Sequence, residues 1–186
     1  MPRRSILSAT ERESLLAIPE DRDELIRLHT FNDADLVLIR QHRGRENRLG
    51  FAVQLCYMRY PGILLAADAQ LFAPLLNMVA DQLKISPESW ADYGQQEQTR
   101  REHLVKLQAT LGFQTFTTFS HYRVAVHSLD GPALQTDKGI VLARILVESL
   151  RCKGVLLPTL DVIERICAEA ITLANRRIYS SLTEPL

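Results

Sequence analysis

Hydrophobic residues recur at steps of three and four along nearly the whole chain, and no segment alternates as a half-buried strand would. In the stretch from about residue 46 to 60, for example, Leu49, Ala52 and Cys56 fall on one helical face. Further helices are predicted at about residues 8–18, 20–28, 33–42, 68–83, 95–111, 116–129, 140–150 and 160–179. The pattern therefore predicts an all-α fold.

Polar residues at several predicted helix starts support this division into elements. Ser8 and Glu11 have the spacing of a capping box, in which the serine caps the helix and the glutamate reaches back. Asn32 can cap the helix that begins at residue 33. Asp68 can cap a helix that ends at Leu83. These helix starts are therefore expected from local chemistry.

Two later segments carry long apolar stripes. The spacing of Phe116, Phe119, Tyr122, Val126 and Leu129 predicts one helix, which an Asp-Gly-Pro sequence closes directly afterwards. The segment from Ile140 to Leu150 is almost wholly apolar and predicts a central core helix.

A Ser-Pro-Glu sequence at residues 86–88 separates two groups of predicted helices, with the proline at a position where a helix accepts it. We therefore expect two small helical subdomains, residues 1–84 and residues 85–186. The first is expected to contain a helix-turn-helix-like unit.

The composition is that of an ordinary globular protein, with 46% hydrophobic and 24% charged residues. No apolar run approaches the roughly 20 residues of a membrane span, and no signal-peptide pattern follows the first arginines. These features predict a cytoplasmic protein without a membrane partner.

The charges balance, with 22 basic and 22 acidic residues, but they are unevenly distributed. Residues 20–35 hold six acidic side chains against two arginines. Residues 40–59 hold five arginines against Glu46 as the only acid. Although nucleic-acid binders are often basic overall, this concentration of arginine marks one segment as a candidate contact for a polyanion.

Nothing in the sequence predicts an active site, a metal site or a cofactor. The cysteines are odd in number and far apart, without the pairing of a zinc site: Cys56, Cys152 and Cys167. The histidines have no partners at metal-ligand spacing, and phosphate-binding glycine loops and nucleophile elbows are missing. We therefore expect that this chain is not itself an enzyme.

The first candidate surface is the turn around Gly44, which joins two predicted helices. Helix-turn-helix proteins place the start of the second helix against DNA bases, where arginine reads guanine and asparagine or glutamine reads adenine. The candidate DNA-binding residues of this surface are Arg40, Arg43, Arg45, Asn47, Arg48, Gln54 and Arg59. The alternative is a solvated turn in which Arg48 or Arg59 pairs with the acidic first helices.

The second candidate surface is one face of the polar helix predicted at residues 95–111. Threonine, arginine and lysine commonly contact phosphate groups. The candidate DNA-binding residues of this face are Thr99, Arg100, Arg101, His103 and Lys106. The alternative is an exposed helix stabilised by pairs such as Glu97 with Arg101.

Three blocks of the sequence resemble the opening region of Tn3-family transposases. The first is an Arg-Gly-x-x-Asn-Arg-Leu-Gly-Phe-Ala-x-Gln-Leu pattern that begins at Arg43 and leads to an Arg-x-x-Gly ending at Gly62. The second is a Tyr-x-x-x-Glu-x-Thr-Arg-x-Glu-His pattern from Tyr93 to His103, in which Gln98 replaces a basic residue common in the family. A Val-Leu-Leu-Pro sequence at residues 155–158 is also similar, so the resemblance spans most of the chain.

The resemblance implies that the chain binds double-stranded DNA at the terminal inverted repeats of a transposon. It also implies that DNA cutting and joining belong to an RNase-H-like domain of a longer transposase, of which this chain is a fragment. The expected partners are the transposon ends and the remainder of the transposase, with a homodimer as a candidate in the full complex. The expected location is the bacterial cytoplasm, at the nucleoid when DNA is bound.

Two other interpretations stay open at this point. The chain can be a helical protein-interaction module that holds transposase subunits together and has only non-specific DNA affinity. The apolar segment from Ile140 to Leu150 favours this interpretation, because a surplus apolar face can form an interface. The helical clamp of a tyrosine recombinase also fits the helix content but lacks the motifs.

Overall fold

The computed structural model describes residues 5–66, 68–93, 95 and 97–183, and it confirms the all-α prediction. The helices are α1 (Ala9–Leu15), α2 (Arg22–His29), α3 (Asp33–Arg40), α4 (Arg45–Arg59), α5 (Ala73–Leu83), α6 (Trp90–Tyr93), α7 (Glu97–Leu111), α8 (Arg123–Ser128), α9 (Asp130–Gln135), α10 (Gly139–Cys152) and α11 (Leu160–Thr183). A 3-10 turn precedes α6 and a π-helical turn precedes α8: Pro87–Ser89 and Thr118–Tyr122. Two short strands pair in parallel: β1 (Gln114–Thr115) and β2 (Val155–Leu156).

The chain forms two compact units whose boundaries differ from the predicted 1–84 and 85–186. Unit 2 is Ile18–Phe113, and unit 1 combines Met1–Ala17 with Gln114–Leu186. The expected boundary near residues 84–88 falls inside unit 2, because α6 and α7 pack on α4. The Ser-Pro-Glu sequence there marks a bend within one core.

Helix α4 is the centre of unit 2, since α2, α3, α5, α6 and α7 all contact it. Every residue from Leu49 to Met58 is buried, not only the predicted face. A helix surrounded in this way is apolar on all sides. Gln54 is therefore enclosed in the core together with its apolar neighbours.

Unit 1 is built around α10 and α11, whose facing residues are fully buried. The core position predicted for the segment from Ile140 to Leu150 is confirmed, because Leu142 and Leu146 of α10 pack in the same cluster as Ile163 of α11. Leu7 and Leu15 from the start of the chain belong to this cluster as well. Arg12 holds α1 in place by pairing with Asp161 and Glu164 of α11.

Two of the predicted helix caps are confirmed. The Ser8 hydroxyl accepts the N–H of Glu11, whose carboxylate accepts the N–H of Ser8. Asn32 and Asp35 form the same reciprocal arrangement at the start of α3. These caps depend only on residues three apart, so the sequence alone contains the necessary information.

The prediction that Asp68 caps a helix was wrong, because α5 begins at Ala73. Tertiary hydrogen bonds hold the preceding residues in an irregular conformation. The N–H of Phe72 donates to the Tyr57 hydroxyl at 3.1 Å, and the carbonyl of Leu65 accepts from Arg100 at 3.3 Å. Such long-range hydrogen bonds cannot be predicted from the spacing of polar and apolar residues nearby in the sequence.

The single helix predicted through Phe116 and Leu129 was also wrong in two respects. The segment begins with the π-helical turn, which has more residues per turn than an α-helix and therefore changes which side chains share a face. As a result, Phe119 is fully exposed. In addition, Asp130 begins α9 and does not close the preceding helix, while Leu129 between α8 and α9 is buried.

Candidate nucleic-acid interface

The turn between α3 and α4 is fixed by side chains from the first turn of α4. Gly44 has a φ of +86°, a conformation that residues with a Cβ rarely adopt. The Asn47 amide donates to the carbonyl of Arg43 at 2.8 Å, and Arg48 Nε donates to the carbonyl of His42 at 2.9 Å. The turn is therefore ordered by its own polar residues.

Four arginine side chains of this turn face solvent: Arg40, Arg43, Arg45 and Arg48. Among the ion pairs of the described residues, none involves any of these four. We call these four residues the arginine turn. Their positive charge is free to act on an external anion.

Glu46 lies within the arginine turn and is half-buried. Its carboxylate packs against the backbone of Gly44, where a Cβ would collide with it. The only acid between residues 40 and 59 therefore lies against the backbone of Gly44. It lowers the positive potential of this surface without pairing with one arginine.

Helix α7 reaches the arginine turn through Lys106. The Lys106 ammonium donates to Gln41 Oε1 at 2.9 Å and lies 6.0 Å from the centre of the Phe51 ring. The two candidate surfaces, predicted in separate subdomains, thus meet in unit 2. Lys106 adds a cation beside the turn.

A buried aromatic cluster lies beneath Lys106. The His42 ring is 4.1 Å from the Phe51 ring and 4.3 Å from the His103 ring, measured between centroids. The Tyr93 hydroxyl and Nδ1 of His103 are hydrogen-bonded at 3.0 Å, and burial raises the pKa of Tyr93 to about 12. The cluster supports the turn from within.

Burial shifts the pKa of both histidines of this cluster downward. For His103 it lowers the pKa to about 4, and the charge of Lys106 acts in the same direction. Burial and then the charge of Lys106 lower the pKa of His42. His103 therefore has a packing role, and the expected contact with DNA is not open to its side chain.

Arg59 is also occupied within unit 2. It makes two hydrogen bonds to Asp35, at 2.7 and 2.8 Å, and the Asp35 side chain is 3% exposed. Although burial raises the pKa of Asp35, the bonds from Arg59 and the N–H of Asn32 hold it below its usual range. The alternative of a pairing with the acidic helices is thus correct for Arg59, whereas Arg48 has no ion pair among the described residues.

The remaining candidates divide between core and surface. Gln54 is 0% exposed and Arg100 is 8% exposed, so both side chains lie inside unit 2. The Arg100 guanidinium donates to the Leu65 carbonyl. Thr99 is half-buried on α7. Arg101 is exposed and pairs with Glu97 at 2.7 Å, as the alternative interpretation expected.

Sequence reasoning missed the contribution of Gln41 and His42, which connect the turn to α7. Their spacing to residues 103 and 106 spans about sixty positions, so no local pattern could reveal it. The one available signal was that His42 directly precedes the first family-like block and His103 ends the second.

No group of three or more histidine, cysteine or acidic side chains among the described residues is placed to hold a metal ion. The described helices also include none with the length and apolar character needed to cross a membrane.

Comparison with known proteins identifies the family. Residues 6–170 match the family described as Domain of unknown function (DUF4158). Over all 186 residues the chain is 66% identical to the transposase for transposon Tn3926 of Escherichia coli, and 63% identical to the transposase for transposon Tn21 of the same species. It is 55% identical over the same length to the transposase for transposon Tn501 of Pseudomonas aeruginosa.

In each of these three comparisons the chain spans 19% of the relative's length. The resemblance of the three blocks to Tn3-family transposases is thereby confirmed for the whole chain. Gly50, Phe51 and Leu55 of the first block are all buried. The chain therefore belongs to the DUF4158 family and is the counterpart of about a fifth of a Tn3-family transposase.

Proposed function

We propose that this chain binds double-stranded DNA at the ends of a transposon, and that the arginine turn is its contact surface. The observation that carries the proposal is the group of four exposed arginines around Gly44, which pair with no carboxylate of the described residues. Phosphate groups recruit such side chains, and guanine offers them a bidentate site in the major groove.

The burial of α4 limits how a duplex can be contacted. From Leu49 to Met58 the helix is enclosed, so only its first turn can reach DNA. Arg45 opens this first turn, and Arg43 and Arg40 flank it on the side of α3. We therefore assign base and phosphate contacts to these three arginines together with Arg48 and Lys106. The helix-turn-helix-like character of this unit stays a prediction.

The relatives that match the whole chain are named as transposases, which supports a role in transposition. In this role the chain recognises the terminal repeats, and the remainder of the transposase cuts and joins the DNA. The partners are then the transposon ends and the other part of the same protein.

The proposal is tested by fluorescence anisotropy of the chain on duplexes that carry the ends of transposon Tn3926, compared with scrambled duplexes over a salt series. We expect a preference of roughly 10³-fold for the end sequence. Arg45→Ala is expected to weaken binding by about tenfold and to reduce the salt slope by about 0.9 for a lost phosphate contact. The matched control is Arg27→Ala, an exposed arginine on α2 within the acidic segment.

Equal and weak binding of both duplexes, with Arg45→Ala indistinguishable from Arg27→Ala, would reject the proposal. A second candidate function would then take its place, namely a protein-interaction module. The end of α11 favours this candidate, because Ile178, Tyr179 and Leu182 are 41%, 69% and 74% exposed. Sedimentation equilibrium of the chain and of Leu182→Ser would test it.

A further inference from the structure

Unit 1 presents one aromatic side chain entirely to solvent. Phe119 is 100% exposed in the π-helical turn Thr118–Tyr122, although the aromatic residues three positions on either side pack against the core of unit 1. These neighbours are Phe116 and Tyr122. The turn therefore projects Phe119 outward from two anchored rings.

The projecting turn is held by hydrogen bonds on both sides of Phe119. The Thr117 N–H donates to Nδ1 of His121 at 3.0 Å, and the Ser120 N–H donates to the Thr117 hydroxyl at 3.3 Å. Because Nδ1 accepts, the imidazole proton is on Nε2, which faces Gln114 Oε1 at 3.5 Å. The His121 ring also lies 5.5 Å from the Phe116 ring, measured between centroids. Phe119 is thus presented by an ordered turn.

The charge around this turn suits a polyanion. Residues 103–129 contain no aspartate or glutamate, and the part of this stretch in unit 1 carries the exposed Arg123. Tyr122, at the end of the turn, shares a cleft with three acids of α11. Glu169 accepts the Tyr122 hydroxyl at 2.8 Å, while Asp161 and Glu164 pair with Arg12.

The chemistry of the exposed surface also favours nucleic acid over protein. Protein interfaces bury contiguous apolar patches, whereas Phe119 stands between the exposed hydroxyls of Thr118 and Ser120. Hydroxyl groups and arginine are frequent phosphate ligands. A single exposed phenylalanine among them matches the apolar wedges that unstack a base step in the minor groove.

We propose that the turn Thr118–Tyr122 is a second DNA contact, in which Phe119 wedges into a base step while Thr118, Ser120 and Arg123 hold the adjacent phosphates. This inference rests on the proposed function, because it assigns unit 1 a share in binding the same duplex. It adds a contact of a different kind, since stacking involves no charge.

The full chain is tested on the same end duplexes, with 2-aminopurine placed at successive steps as a reporter of unstacking. We expect the fluorescence of one or two adjacent steps to rise on binding. Phe119→Ala should abolish this rise and weaken binding by about tenfold, as a lost stacking contact does. Its salt slope should be unchanged, whereas Arg123→Ala should reduce the slope by about 0.9. The control is Leu134→Ala, another exposed apolar residue of unit 1.

The outcomes separate the inference from the function on which it rests. If the unaltered chain binds no duplex, the proposed function fails and the inference fails with it. If the chain prefers the end duplex but Phe119→Ala binds and unstacks it like Leu134→Ala, only the inference is overturned. A loss of self-association in Phe119→Ala with DNA binding intact would likewise overturn it, since the turn would then be a protein contact.

Discussion

Gly50 lies where the family-like block of α4 meets α6. The Tyr93 ring packs so closely against it that a Cβ at this position would collide with three ring atoms. We predict that Gly50→Ala lowers the free energy of unfolding of unit 2 by about 1–3 kcal/mol, as overpacking of a core does. Urea unfolding followed by the fluorescence of Trp90, the only tryptophan of the chain, measures the effect.

Gly131 provides the matched control for this substitution. It lies in α9, and a Cβ added there meets no atom within 4 Å. Because α9 lies in unit 1, which Trp90 does not report, far-UV circular dichroism follows the unfolding of this variant. Gly131→Ala should be neutral or stabilising by up to about 1 kcal/mol, because alanine restricts the unfolded chain. Equal stability of Gly50→Ala and the unaltered chain would contradict the close packing of Tyr93.

The candidate residues show what the sequence can predict for single side chains. Arg45 and Arg100 are equally polar in the sequence, yet Arg45 is exposed and Arg100 is buried beside the Leu65 carbonyl. Burial of this kind depends on a partner 35 residues away, which periodicity does not report. The local chemistry of the Gly44 turn was predictable, but the loss of Gln54 to the core was not.

At the scale of elements, the arginine turn contains one opposing charge whose removal can be measured. Glu46→Gln keeps the packing against Gly44 and removes the negative charge from the turn. If the arginine turn binds DNA, this variant should bind a duplex about threefold to tenfold more tightly at low salt, with the gain shrinking as salt screens the charge. Anisotropy titrations at two salt concentrations provide the measurement.

Glu20→Gln is the control for this prediction, because Glu20 is exposed in the same unit outside the turn. A gain of the same size in both variants would mean that only the net charge of the chain matters, and it would remove the arginine turn from its assigned role.

The buried histidines of unit 2 make its helices sensitive to acid. Burial lowers the pKa of His29 and of His103 to about 4 from an ordinary value of 6.5. Above pH 6.5 the two histidines are neutral in both the folded and the unfolded chain, so unit 2 keeps its full free energy of unfolding. Between pH 6.5 and 4 the unfolded chain takes up protons first, so we predict that unit 2 loses up to about 3 kcal/mol for each histidine.

Urea unfolding followed by Trp90 at pH 8, 6 and 5 checks this prediction. His103→Gln retains a hydrogen-bonding partner for the Tyr93 hydroxyl and should reduce the pH dependence, leaving the shares of His29 and His42. His127→Gln, an exposed position in unit 1, should leave it unchanged. A pH dependence that is the same in all three proteins would contradict a neutral, buried His103.

Helix boundaries were predictable where a cap acts within three residues, as at Ser8 and Asn32. They were not predictable where tertiary contacts compete with the local signal. Asp68 has the chemistry of a cap, but hydrogen bonds to Phe72 and Leu65 hold the chain in an irregular conformation before α5. The exposure of Phe119 was likewise not predictable. The π-helical turn changes the spacing of side chains from which the apolar face was predicted.

At the scale of the whole molecule, the division into units is the feature that the sequence concealed. A proline-containing segment at residues 86–88 suggested a boundary, whereas the described residues 5–17 pack with the described residues 114–183. Such a discontinuous unit depends on which apolar faces meet. Leu7 and Leu15 are apolar in any arrangement, and the sequence does not state that α10 and α11 are their partners.

The discontinuous unit leads to a prediction that separates the two cores. Leu15 of α1 is 6% exposed in the core of unit 1, and Leu75 of α5 is fully buried in unit 2. Leu15→Ala and Leu75→Ala should each cost about 2–5 kcal/mol of unfolding free energy. Trp90 fluorescence reports unit 2, while far-UV circular dichroism reports helices of both units.

We expect Leu75→Ala to shift the Trp90 transition to lower urea, and Leu15→Ala to shift the circular dichroism transition more than the Trp90 transition. The reason is that α1 contributes its buried leucine to a core formed with α10 and α11, although it is nearest in sequence to unit 2. If Leu15→Ala moved the Trp90 transition as far as Leu75→Ala does, the first helix would belong energetically to unit 2. The subdomain boundary expected from the sequence would then be closer to the truth than the division by packing.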